Sequence, residues 1–73
     1  MMKIVLTKHV RKRMRERGIP PASVKIALLR PDVRLRRADG RSVVVKFIQG
    51  RTLEVVYVVE TSDYIIITVY YAD

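Results

Sequence analysis

Three runs rich in β-branched and aromatic residues, Ser42 to Ile48, Thr52 to Glu60 and Tyr64 to Tyr71, follow one another almost without interruption. Only Gln49-Gly50-Arg51 and Thr61-Ser62-Asp63 separate them. Val, Ile, Tyr and Thr favour extended backbone, while Gly, Ser and Asp favour turns, so the runs read as strands joined by turns. Gaps this short leave no room for the crossover that parallel neighbours require, and the strands are expected to form an antiparallel meander. A fourth strand joins them, because Val33 and Leu35 alternate with Arg34 and Arg36 and the turn dipeptide Asp39-Gly40 follows.

The first half obeys a different period. Lys3 to Leu6 reads as a short strand, and Thr7 can cap a helix that begins at Lys8 and stops at Gly18. Val10, Met14 and Ile19 supply this helix with a thin apolar stripe. Pro20 and Pro21 suit the first turn of a second helix, limited by Pro31, in which Val24, Ala27 and Leu28 give an i, i+3, i+4 face. Ile26 and Leu29 add apolar surface on another side, so this helix is expected to be largely buried or partner-facing. The expected fold class is α+β: a short N-terminal strand, then two helices covering one face of an antiparallel four- to five-stranded sheet. With 73 residues, the chain has room for one domain and one core.

Charge is unevenly placed along this order. Residues 1 to 38 hold twelve Lys and Arg against two acids, Glu16 and Asp32, whereas the remainder holds three against five. Such asymmetry produces a one-sided positive field that attracts polyanions. The densest stretch is Lys8 to Arg17, KHVRKRMRER, where Lys8/Lys12, Arg11/Arg15 and Arg13/Arg17 each place like charges one turn apart. Lys8 also opposes the helix dipole. Stability alone does not select this arrangement, and a phosphate-binding surface explains it better than a merely solvated face with Glu16 pairing Lys12 or Arg13. The candidate nucleic-acid-binding residues are Lys8, Arg11, Lys12, Arg13, Arg15 and Arg17, together with Arg34, Arg36 and Arg37. RNA or DNA is the expected partner; an acidic protein segment is the alternative.

Other classes find little support. The chain has no cysteine, and its single histidine, His9, has no obvious ligand set beside it, so neither a metal nor a cofactor is expected. No run approaches the roughly 18 apolar residues of a membrane span, and the expected location is cytoplasmic. The absence of asparagine, the single glutamine and the abundance of arginine suit a thermophilic source. The strands carry apolar residues on both faces: Val43, Val45 and Phe47 oppose Val44, Lys46 and Ile48. A homodimer covering the second face is therefore expected, unless the sheet twists enough to cover itself. Of the four tyrosines, Tyr57 reads as core, while Tyr70 and Tyr71 point to opposite faces at the end of the last strand.

The segments TKHVRKRMRERGIPP, GRTLEVVYVVE and DYIIITVYY together resemble the DUF4258 family of small proteins over nearly the whole chain, with His9, Arg13, Arg17, Gly18 and Ile19 matching its pattern. That family in turn resembles the RelE/ParE toxin superfamily, whose members cleave translated mRNA or poison gyrase and are neutralised by an antitoxin. The resemblance implies two helices on an antiparallel sheet and an acidic antitoxin-like partner. It also offers Lys46, Arg51 and Tyr70 as catalytic candidates for RNA cleavage, to which the lone His9, able to protonate a leaving group, adds a fourth. Gly50, Val55, Val56 and Tyr57 match a toxin strand, but Glu54 stands where mRNA-cleaving toxins tend to place a catalytic arginine. A carboxylate there repels the scissile phosphate, so efficient ribonuclease chemistry is not expected.

Overall fold

The computed structural model describes residues 2–73. The elements run β1 (Ile4–Val5), α1 (Lys8–Arg17), α2 (Pro21–Leu29), β2 (Val33–Arg36), β3 (Ser42–Ile48), β4 (Arg51–Glu60) and β5 (Asp63–Tyr71). They form one open five-stranded sheet of order β1-β5-β4-β3-β2, with α1 packed on β5 and α2 on β3 and β4. The α+β class and the placement of both helices on one face agree with the sequence reading. The sheet is mixed, however, because β1 pairs in parallel with β5, Ile4 opposite Tyr64 and Val5 opposite Ile65. The chain between β1 and β5 contains every other element, so no short-range signal foretells this pairing. It is secured at Lys3, whose carbonyl accepts from the Tyr64 N–H at 2.8 Å and whose own N–H donates to the Asp63 carboxylate at 3.2 Å.

Local chemistry sets the helix ends. The Thr7 hydroxyl accepts from the Val10 N–H at 3.2 Å, satisfying one orphan donor of α1. At the other end Gly18 adopts φ +67°, its N–H donating to the Arg15 carbonyl and that of Ile19 to the Met14 carbonyl. This is a Schellman ending, and the buried pair Met14 and Ile19 is its usual apolar companion. α2 has no side-chain cap, and Pro21 simply occupies a position where an N–H is not needed.

The turns are tighter than the sequence reading allowed. Gln49 and Gly50 alone join β3 to β4, and Thr61 and Ser62 alone join β4 to β5, all four with positive φ; Arg51 and Asp63 already belong to strands. Two-residue turns of this hand match the twist of the strands they connect.

Between the helices and the sheet lies the core, built from Val10, Met14, Ile19, Val24, Ala27, Leu28, Val44, Leu53, Val55, Tyr57, Ile66 and Val69. Ile26 and Leu29 are exposed, so only one face of α2 is used by the single chain. Val43 and Val56 lie on the sheet face away from the helices, yet they are 3% and 0% exposed. The sheet already covers them, helped by a register shift between Val56 and Tyr57 of the kind that increases twist. Val33, Leu35 and Phe47 remain exposed on that face.

Candidate nucleic-acid interface

α1 turns about 100° per residue, so its buried pair Val10 and Met14 leaves Lys12 pointing directly outward. Lys8, Arg11 and Arg15 fall to one side of Lys12, and together the four form a continuous arc. His9, Arg13 and Arg17 descend the other flank. Arg13 lies 3.4 Å from Glu16, an exposed pair that contributes little. Arg17 donates to the Val69 carbonyl at 2.8 Å and so ties α1 to β5. Lys8, Arg11, Lys12 and Arg15 make neither an ion pair nor a side-chain hydrogen bond among the described residues. The like-charge repulsion read from the sequence is thus not relieved within the fold.

Beside this arc runs a cleft of about 430 Å³, flanked by Arg11 and Arg15 and lined by Leu6, Met14, Ile19 and Pro21. Its size lies within the range of small-molecule sites, and its apolar lining next to two guanidinium groups suits a planar ring attached to a phosphate. The cleft exists because the Schellman ending turns the chain sharply from α1 into α2 at Ile19.

The β2 arginines, grouped with the α1 cations as one binding set from the sequence, do not neighbour α1. β2 is the edge strand farthest from β1, and three strand spacings, about 14 Å, separate it from β5 beneath α1. Arg34 donates to the Tyr57 hydroxyl at 3.2 Å on the helix-covered side of the sheet. Arg37 approaches Tyr70 closely enough to offset in part the rise in its pKa that Glu54 and burial cause.

Of the four residues offered for RNA cleavage, Arg51 and Tyr70 line one cavity of about 570 Å³ with Arg17 and Tyr71, whereas Lys46 and His9 lie apart from it. Lys46 faces the helix side of β3, 3.5 Å from Asp32, whose other carboxylate oxygen accepts from the Phe47 N–H. Arg51 stacks 3.7 Å from the Tyr71 ring centre and pairs with Asp73 at 3.3 Å. The Asp73 carboxyl is held below the usual carboxylate range, first by the Thr52 N–H and also by Arg51. Tyr70 opposes Glu54 in the β4–β5 register, whereas Leu53 opposes both Lys46 and Tyr71, so Tyr70 projects to the face opposite Lys46. Its hydroxyl donates to Glu54 at 2.9 Å. His9 is exposed on the first turn of α1, about 12 Å along the axis from Arg17. The roles of Asp32, Glu54 and Asp73 as partners of these groups went unread, since each lies at least fourteen residues from its mate.

Among the described residues no group of three or more His, Cys, Asp or Glu side chains is placed to hold a metal ion, and no helix is long and apolar enough to cross a membrane. Neither the curated proteins nor the solved structures contain a match to this chain. A family model does match it, over residues 6–71, which takes in both helices, the cationic arc and the four long strands of the sheet, and the chain therefore belongs to DUF4258, a domain of unknown function.

Proposed function

We propose that the protein binds nucleic acid, RNA or DNA, through the phosphate backbone, using Lys8, Arg11, Lys12 and Arg15 on α1 and seating a base in the adjoining cleft. The observation that carries this reading is the cluster of four unpaired cations on one ten-residue helix, kept despite repulsion between Lys8 and Lys12 and between Arg11 and Arg15. Backbone contacts of this kind supply affinity without sequence preference, while the guanidinium groups beside the cleft can also stack on a base.

We further propose that the fold is a relative of the RelE/ParE toxins that lacks their ribonuclease chemistry. Three arrangements support this. By the resemblance Glu54 stands where mRNA-cleaving toxins tend to place a catalytic arginine, Lys46 is engaged by Asp32, and Tyr70 turns its hydroxyl to Glu54 on the other face of the sheet. Incubation with RNA at protein excess is expected to give a bound, intact strand; cleavage that disappears in Lys46→Ala/Arg51→Ala would establish the endonuclease instead.

Fluorescence anisotropy with a labelled mixed-sequence RNA and a DNA duplex tests the binding itself. Arg11→Gln/Arg15→Gln is expected to weaken both complexes at least tenfold. An acidic antitoxin-like peptide is the competing occupant of the same arc, and it is favoured instead if it binds tightly while neither nucleic acid does.

A further inference from the structure

The far end of the sheet holds another cavity, of about 560 Å³, that takes no part in the α1 interface. Arg34, Arg36, Ser42, Tyr57, Val59 and Tyr64 line it. Arg36, Ser42 and Tyr57 stand in one cross-strand row, Arg36 opposite Ser42 and Ser42 opposite Tyr57. Alternation places Arg34 on the same face, two residues before Arg36.

The polar groups here are all donors or hydroxyls. No carboxylate lines the cavity, and Arg36 has neither an ion pair nor a side-chain hydrogen bond among the described residues. Arg34 is held in place by the hydroxyl of Tyr57, a residue only 3% exposed. Tyr57 in turn meets Tyr64 edge to face, with ring centres 5.3 Å apart and planes at 79°. The result is a fixed guanidinium, a free one and a serine hydroxyl at one side, with an aromatic and aliphatic wall at the other.

From this arrangement we infer that the cavity binds a phosphorylated nucleoside by its terminal phosphate monoester. Two guanidinium groups match the near-dianionic charge of a monoester at neutral pH better than the single charge of an internal diester, and each can bond the phosphate through two N–H groups. Ser42 donates a further hydrogen bond. The wall formed by Tyr64 and Val59 takes the ring of the base, which inorganic phosphate lacks. A free mononucleotide and the phosphorylated end of a strand present the same chemistry.

The test uses the full chain, adenosine 5′-monophosphate as probe, and NMR chemical shifts with calorimetry as readouts. Saturable binding is expected to shift the amides of Ser42, Tyr57 and Tyr64, with inorganic phosphate and adenosine each at least tenfold weaker. Arg34→Gln/Arg36→Gln, on a strand whose side chains are all exposed, is expected to lose at least tenfold in affinity while keeping its thermal transition. Arg11→Gln/Arg15→Gln is expected to bind the mononucleotide as the parent does even where it fails on long strands, so the two sites succeed or fail separately. Comparing an RNA oligomer with and without a 5′-phosphate then identifies the source. A phosphate-dependent gain that vanishes in Arg34→Gln/Arg36→Gln assigns the strand end, and equal binding of both oligomers assigns the free nucleotide. Shifts confined to α1, or affinity for the mononucleotide unchanged in Arg34→Gln/Arg36→Gln, overturn the inference.

Discussion

The Tyr70 hydroxyl, 2.9 Å from the Glu54 carboxylate, is held in its neutral, donating form. Its pKa is raised above that of an ordinary tyrosine, first by this hydrogen bond, then by burial and the negative charge of Glu54, against a smaller opposing effect of Arg37. A folded state that holds a proton more tightly than the unfolded chain keeps that advantage below the unfolded pKa, near 10, and loses it as pH climbs through the folded value. Tyr70→Phe is therefore expected to flatten the alkaline decline in stability, measured by urea unfolding from pH 9 upward; an unaltered decline would show that Tyr70 is not its source. Gly18 makes a second prediction at this scale. A Cβ placed there meets nothing within 4 Å, so the cost of Gly18→Ala comes from its φ of +67° alone and should be about 1 kcal/mol. Residue roles of this kind were only partly legible in the sequence. Thr7 and Gly18 act on neighbours a few residues away and could be read directly, whereas Glu54 finds Tyr70 only once β4 and β5 are in register.

At the level of elements, the α1 surface opposes its own helix. Lys8→Gln/Lys12→Gln removes one like-charge pair and an unfavourable cation in the first turn, so unfolding should show stability unchanged or raised by a few tenths of a kcal/mol while nucleic-acid affinity falls. A loss of stability would mean that these lysines serve the fold instead. The β4–β5 turn contains a similar tension, because Thr61, a β-branched residue, sits at φ 50° and Ser62 at φ 68°. Thr61→Asn/Ser62→Gly is expected to stabilise the protein by about 1 kcal/mol, read as a higher urea midpoint at constant m-value. The long strands were legible to within a residue because each turn lies next to the residues it joins. The parallel seat of β1 was not, since Lys3 and Asp63 are sixty positions apart. Nor was the separation of β2 from α1, which follows from strand order and not from composition.

Across the whole molecule, positive charge is divided between the α1 arc near one sheet edge and the β2 arginines at the other. The face away from the helices covers Val43 and Val56 by itself but leaves Val33, Leu35 and Phe47 exposed, and these mark where a second copy would dock if the homodimer expected from the sequence forms. Sedimentation equilibrium should show association that Phe47→Ser abolishes, and a monomer at all concentrations would remove the dimer while leaving the α1 account intact. That account is tested most directly by the salt dependence of duplex DNA binding, because only phosphate contacts made by cations release counterions. Four such contacts, one for each of Lys8, Arg11, Lys12 and Arg15, give a log–log slope of about −4, becoming about two units shallower in Arg11→Gln/Arg15→Gln. A slope near zero, or one that the α1 substitution leaves unchanged, would contradict the account.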